Sequence, residues 1–176
     1  MALAVAEGIR EETDLDALIK WPNDIVVNGR KVCGILTEMD LETDYIRDAI
    51  VGIGINVNQS ERESWPIEIR DTATSLRIES GSRVNRSGLV ARIMNIFEGY
   101  YGSFLEVKDL SGIKDRYEEL LVSKNTAVRV LDPKGEFEGI SRGIDTRGEL
   151  IVEPADGSQV RVYAGEVSVR GIYGYV

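Results

Sequence analysis

The chain of 176 residues has no histidine and one cysteine, Cys33. The first absence removes the usual zinc sites, and the second forbids an intramolecular disulfide. No apolar run is long enough to cross a membrane. The short apolar stretch Ala2 to Ala6 lacks a basic start, so no signal peptide is expected and the cytoplasm is the expected compartment. Basic residues are outnumbered 21 to 30, for a net charge of −9. That balance argues against a nucleic-acid partner held through its phosphates and reads as solubility. Internal repeats and low-complexity tracts are also missing. What remains is an ordinary globular composition, 43% hydrophobic and 29% charged. The length suits one domain, or a medium domain plus a small one, with a real core.

Patterning divides the chain in two. Met1 to Glu12 reads as a helix that begins without a capping residue. Leu18 to Trp21 reads as a short strand stopped by Pro22. Ile25-Val26-Val27, Asn28-Gly29 and then Arg30 to Met39 spell a hairpin, since Asn-Gly accepts the positive φ angles of a two-residue type I′ turn. Tyr45 to Val57 alternates, with Val51, Ile53, Ile55 and Val57 on one face and Gly52, Gly54, Asn56 and Asn58 on the other. Residues 59–87 read as a long loop with a helical turn near Ala73 to Leu76. An amphipathic helix follows, capped by Asn85 or Ser87, with Leu89, Ile93, Ile96 or Phe97, Tyr100 and Phe104 inward. The next helix is expected to start at Ser111 and to bury Ile113, Tyr117, Leu120 and Leu121. From about Asn125 the period changes to two. Five short strands are expected, at 126–131, 136–144, 149–153, 159–163 and 166–170, separated by Asp-, Pro- and Gly-containing turns. Five such strands suggest a small SH3-like barrel.

Three motifs carry the chemistry. Lys20-Trp21-Pro22-Asn23-Asp24 is followed by Arg30-Lys31-Val32-Cys33-Gly34-Ile35-Leu36 and then by Gly52-Ile53-Gly54-Ile55-Asn56-Val57-Asn58. In this order and spacing they resemble the second half of the catalytic core of biotin protein ligases. Gly139 to Asp145 resembles the start of that family's C-terminal domain. The family's Gly-Arg-Gly-Arg-x-Gly-Arg-x-Trp loop, which clamps biotin and its adenylate, occurs nowhere in these residues. The chain reads as the enzyme with its front removed.

The residues themselves leave alternatives at each position. Lys31 is placed on the face of Cys33, Ile35 and Thr37. It is either a solvated hairpin lysine or a point charge for a developing pentacovalent phosphorus, as the matching family lysine is. Gly34, Gly52 and Gly54 give either close strand packing or an approach for a flat ligand, here biotin or its adenylate. Gly34 is placed on a face with Val32 and Leu36. Asn56 either forms a turn or, by resemblance, contacts the adenine of ATP. Asn23 and Asp24 make either a rigid corner or, by resemblance, a contact to nucleotide and a ligand to magnesium. Lys20 is either a surface charge or a nucleotide contact, and Trp21 reads as core. Glu166 and Arg170 sit either on a solvated edge strand or, by resemblance, where the small domain meets ATP. Tyr163-Ala164-Gly165 departs from the glycine pair of many relatives. Cys33 reads as a buried filler.

The resemblance implies an α+β fold. A partial mixed or antiparallel sheet packed with helices, the class II synthetase and biotin ligase-like core, spans 1–124, and an SH3-like domain spans 125–176. It implies an ATP-dependent biotin protein ligase using ATP, Mg2+ and biotin. Biotin would be adenylated and then attached to a lysine of a biotin carboxyl carrier domain, with low activity for this chain alone. No membrane and no nucleic acid enter through this chain, and a homodimer is expected. The rival readings are a non-catalytic carrier- or partner-binding module and one half of a split ligase.

Overall fold

The computed structural model describes the whole chain except residues 43–45, 62–64, 134, 166–167 and 173–174. Helix α1 (Ala2–Thr13) starts with no side-chain cap, as expected, and ends on Asp14 in the left-handed conformation. Four strands follow, β1 (Leu18–Lys20), β2 (Asp24–Val27), β3 (Arg30–Leu41) and β4 (Ile46–Ile55). They form one antiparallel sheet in chain order. The β2–β3 turn has Asn28 at φ 50 and Gly29 at φ 73, the positive angles that the Asn-Gly pair predicts.

Because directly opposed residues in an antiparallel sheet share a face, the register sorts the side chains. Ile19, Ile25, Cys33 and Ile55 form one transverse row, and all pack in the first core with α1. That face is roofed by α1 and by α3 (Arg86–Val107), capped by Asn85 accepting from the Gly88 amide. The helices cross closely at Gly8, where an added Cβ would stand 2.5 Å from Ile93 Cγ1.

One strand departs from the expected alternation. Val26 pairs with Lys31 but Ile25 pairs with Cys33, so Val32 is an extra residue in a β-bulge. Val32 and Cys33 both point into the core, at 0% and 1% exposure. Lys31 is therefore turned to the opposite face from Cys33 and Ile35, which corrects the placement above. Gly34 likewise shares its face with Leu36 but not with Val32.

Two further expectations change. Phe104 was expected inward and is 38% exposed. With 22 residues α3 outruns the 12 of α1, so its last turns overhang the core. There Phe104 stacks on Tyr101. Ser111 does not cap α4 (Lys114–Glu119); Ile113 stands at its N-terminus with no side-chain cap. The Ser111 amide instead donates to Asp109 Oδ1 at 2.8 Å. Ahead of α3, the helical turn expected at Ala73 to Leu76 begins only at Leu76, as the short helix α2 (Leu76–Ser80) capped by Ser75, because Ala73 bridges to Lys31.

The second half holds five strands, β5 (Ala127–Leu131), β6 (Phe137–Ile144), β7 (Leu150–Glu153), β8 (Val160–Val162) and β9 (Ser168–Gly171). Their order is β8-β7-β6-β5-β9, all antiparallel. Val128, Val130, Ile144, Leu150, Val152, Val162 and Val169 make a second core, which Trp21 and Leu121 join from the first half. The Trp21 indole N–H donates to the Gly148 carbonyl at 2.9 Å. The chain from α4 also hydrogen-bonds along β1, Ile19 N to Leu120 O at 2.7 Å and Val122 N to Ile19 O at 2.9 Å. Thus β1 and Trp21 seat the second sheet beside the first.

Candidate functional site

Opposite the helical roof, the first sheet presents a second transverse row: Lys20 opposite Asp24, Asp24 opposite Gly34, and Gly34 opposite Gly54. Leu36 opposite Gly52 begins the next row. The two ends of the Lys20–Gly54 row differ in kind. Lys20 and Asp24 are each only 9% exposed. The glycine end is bare. A Cβ at Gly52 would come no nearer than 3.7 Å to any other atom, and one at Gly54 no nearer than 3.9 Å. The nearest atoms are the carbonyl oxygens of the neighbouring strand. Among the described residues no helix packs on these glycines, so close strand packing does not explain them. They form an open floor.

Lys31 stands at the edge of that floor. The bulge aims it outward, and its ammonium lies 2.5 Å from Asp24 Oδ1. An added Cβ at Gly34 would be 3.0 Å from both Lys31 Cε and Nζ, so glycine at 34 gives the lysine its room. The backbone of Lys31 is fixed on its free edge by the loop 72–74. Its amide donates to Thr72 O and its carbonyl accepts from the Thr74 amide, each at 2.8 Å. That loop is anchored in turn by Glu79 of α2. Its Oε1 accepts from Thr74 Oγ1 at 2.5 Å and from Arg30 at 3.0 Å, and its Oε2 from Asn28 at 2.7 Å. Burial raises the Glu79 carboxyl, but these hydrogen bonds outweigh burial and hold it below its ordinary value.

Three cations meet around the buried end of the row. Burial lowers the Lys20 ammonium pKa; Asp24 opposes that shift, and Arg170 and Lys31 add to it. Arg170, exposed on β9, lines a small cleft together with Lys20 and Tyr175. The Tyr175 hydroxyl donates to Asp24 Oδ2, and its ring centroid is 4.4 Å from Lys20 Nζ. In a chain of net charge −9, this corner is a local concentration of positive charge beside an uncovered strip of backbone. It is suited to a flat ligand carrying an anionic group.

The other predicted residues separate into those that reach this face and those that do not. Asn56 lines the same hollow as Asp24, Lys31, Gly34 and Gly54. Its backbone ties β3 to α2, its amide to Val32 O at 2.8 Å and its carbonyl to the Leu76 amide at 2.9 Å. Among the described residues no partner takes its side-chain amide. Asn23 spends its amide group on the Ile35 carbonyl at 2.7 Å, bracing β3. Asn58 leaves the strand face to clasp Val84, as donor at 3.0 Å and acceptor at 2.9 Å. Trp21 is 4% exposed and belongs to the second core. Cys33 is 1% exposed, and burial, then Asp24, pushes its thiol up to about 12. Glu166 lies outside the described residues. Asp24, expected near magnesium, has one oxygen on Lys31 and the other on Tyr175. Among the described residues no three acidic, cysteine or histidine side chains are grouped to hold a metal. The donor set here therefore fits a lysine–carboxylate pair and not a protein cage for magnesium. Tyr175 was missed from sequence, because nothing local to Gly174-Tyr175-Val176 ties it to Asp24.

A second cleft opens beyond Asn23, between Leu3, Trp21, Pro22, Leu110 and Tyr117. Among the described residues no charged side chain lines it.

Residues 1–56 match the family model described as Biotin/lipoate A/B protein ligase family. Residues 125–170 match that of the Biotin protein ligase C terminal domain. The chain is 38% identical over 168 residues to the Bifunctional ligase/repressor BirA of Bacillus subtilis (strain 168), covering 96% of this chain and 51% of that protein. It is 29% identical over 170 residues to BirA of Escherichia coli (strain K12), covering 97% and 51%. It spans about half the length of the curated relatives it matches. The apo structure of Biotin protein ligase from Aquifex aeolicus superposes with a TM-score of 0.82 at 31% identity, covering 97% of this chain and 72% of that one. The same enzyme in complex with biotin and ATP gives 0.82 at 30%, covering 97% and 68%.

Proposed function

The chain belongs to the biotin protein ligase family, and we propose that its lysine-and-glycine face is the nucleotide half of a biotin adenylation site. One observation carries the reading: the Lys31 ammonium, braced by Asp24, is aimed over Gly34 at the edge of the bare Gly54–Gly52 floor. The reaction has two steps. A carboxylate oxygen of biotin attacks the α-phosphorus of ATP, the bond to the bridging oxygen breaks, and pyrophosphate leaves. The ε-amino nitrogen of a lysine on a biotin carboxyl carrier domain then attacks the acyl carbon. AMP leaves, and the amine proton passes to solvent. Lys31 stabilises charge that grows on the phosphate oxygens between ground and transition state, which is where a fixed cation lowers a barrier. Gly34, Gly52 and Gly54 let biotin and its adenylate lie on the backbone. Asn56 offers the adenine a donor and an acceptor, with Asn23 beside the floor. Lys20 and Arg170 supply charge toward the phosphates. Magnesium would ride on the ATP phosphates, as it does where few carboxylates are offered.

The reaction belongs in the cytoplasm, with its ATP supply. The family's Gly-Arg-rich biotin loop is not among these 176 residues, so adenylation by them alone should be slow. Lys31→Ala tests the reading. Biotin-dependent pyrophosphate release, alone or with a supplied front half, should fall at least about a hundred-fold with the melting temperature kept. Parent activity in this variant removes Lys31 from the mechanism.

A homodimer fits one further observation. Strand β4 is an edge, and around it Leu36, Met39, Ile46 and Ile50 are 62%, 54%, 56% and 67% exposed. Unpaired edges with apolar flanks recruit a second strand. Light scattering at micromolar concentration should give twice the chain mass, and a monomer rejects the pairing.

A further inference from the structure

We propose that Tyr175 is a positioning residue that fixes the Asp24 carboxylate and, through it, the direction of Lys31. The inference rests on the adenylation reading above. The Asp24 carboxylate is divided between two partners. Lys31 Nζ lies 2.5 Å from Oδ1, and the Tyr175 hydroxyl donates to Oδ2. A carboxylate with one oxygen free can rotate toward its lysine or away from it. With the second oxygen tied, one orientation remains, and Lys31 is held along Gly34.

The ring does a separate job. It lies over Lys20 at 4.4 Å and helps to leave that residue only 9% exposed. The charged groups that face Tyr175 are Asp24, Lys20 and Arg170. Burial, then Asp24, raises the phenol above its ordinary value, so the hydroxyl keeps the proton it donates.

Val176, next to Tyr175, is seated against both halves of the chain. Its Cγ2 lies where a Cβ at Gly29 would be 3.2 Å away, and its carbonyl fills the space a Cβ at Gly171 would need. Val176 thus lies between the end of β9 at Gly171 and the β2–β3 turn at Gly29, next to Tyr175. Tyr175 acts through Asp24 and Lys31 and touches no reacting atom in this scheme.

The test compares the full chain with Tyr175→Phe and Tyr175→Ala. Lysines are trace-labelled with acetic anhydride and read peptide by peptide, with Lys108 as internal reference. Tyr175→Phe should speed labelling of Lys31 about five-fold, the value of one net hydrogen bond, and leave Lys20 shielded by the ring. Tyr175→Ala should release both lysines. In pyrophosphate release, Tyr175→Phe should lower kcat about ten-fold and change the KM for ATP less than about two-fold. Parent labelling of Lys31 in Tyr175→Phe overturns the proposal, and so does an equal rise at Lys31 and Lys108, which marks general loosening. Failure of the parent chain to bind ATP defeats the adenylation reading only, because the labelling comparison needs no nucleotide.

Discussion

Glu118 offers the sharpest test of how the two halves are held together. Its side chain on α4 is 8% exposed. Oε1 accepts from the Ile144 amide at 3.0 Å and lies 2.9 Å from Lys114 Nζ. Oε2 lies 2.6 Å from Lys124 Nζ. Strand β6 passes over the carboxylate at Gly143, whose φ is 119; a Cβ there would overlap the Glu118 side chain. In Glu118→Ala the buried Ile144 amide loses its acceptor, which costs about 1–3 kcal/mol. The lysine side chains are 30% and 35% exposed and can turn to water, so each pair adds at most about 1 kcal/mol. The total is about 1–5 kcal/mol, which for a chain of this size lowers the melting temperature by about 2–20 °C. The sign with pH is fixed. Burial raises the Glu118 carboxyl, but Lys124, Lys114 and the Ile144 amide outweigh it and hold it below its ordinary value. A depressed carboxyl stabilises fully above the unfolded value of about 4.3 and loses that contribution as pH falls through the folded value. Parent and Glu118→Gln should therefore differ most at neutral pH and converge below about pH 4. Thermal melts followed by tryptophan fluorescence in a Trp65→Phe background, which leaves Trp21 with its indole bridging the same junction at Gly148, report the loss. A Glu118→Ala chain melting within about 1 °C of the parent at pH 7 would refute the reasoning, as would a gap that widens on acidification.

Two further outcomes follow from the site. Gly54→Val should leave the melting temperature within about 2 °C, since a Cβ there meets nothing nearer than 3.9 Å. It should weaken nucleotide binding at least about ten-fold by roofing the floor, measured by calorimetry; parent affinity shows that the floor is not used. Cys33, with its thiol pushed up to about 12, should resist a disulfide reagent at pH 8 in the native chain and react in denaturant. Rapid native labelling would place it outside the core.

Much of the fold could be read from the residues because the signals were local. Asn28-Gly29 dictates its turn, and Val51 to Val57 alternates across a sheet with one roofed face. The five strands of the second half lie within a residue or two of their expected limits. The candidate residues were legible as neighbours: Lys20, Asp24, Lys31, Gly34, Gly54, Asn56 and Arg170 come to one region. Its internal order was not legible. The bulge at Val32 depends on pairing with β2, which is not written in β3 alone. Asn23 was read as either a rigid corner or a nucleotide contact, and the partner of its amide, the Ile35 carbonyl twelve residues away, was not read. Tyr175 and Asp24 are 151 residues apart, and Glu118 meets Ile144 across 26. No periodicity announces contacts of that range.

The bulge at Val32 has a consequence for how this strand stores information. An ordinary strand has parity: odd positions look one way and even positions the other, and one inserted residue exchanges the two sets. Here the exchange has been absorbed. Lys31 and Cys33 are both odd, yet they face opposite sides, because Val32 occupies a place that the partner strand does not count. Removing that one residue would make Lys31 and Cys33 neighbours, and neighbours also face opposite sides. The lysine would stay over the glycine floor, and the chain would lose one core side chain. The motif therefore keeps the orientation of its lysine through a change of length that would reverse a regular strand.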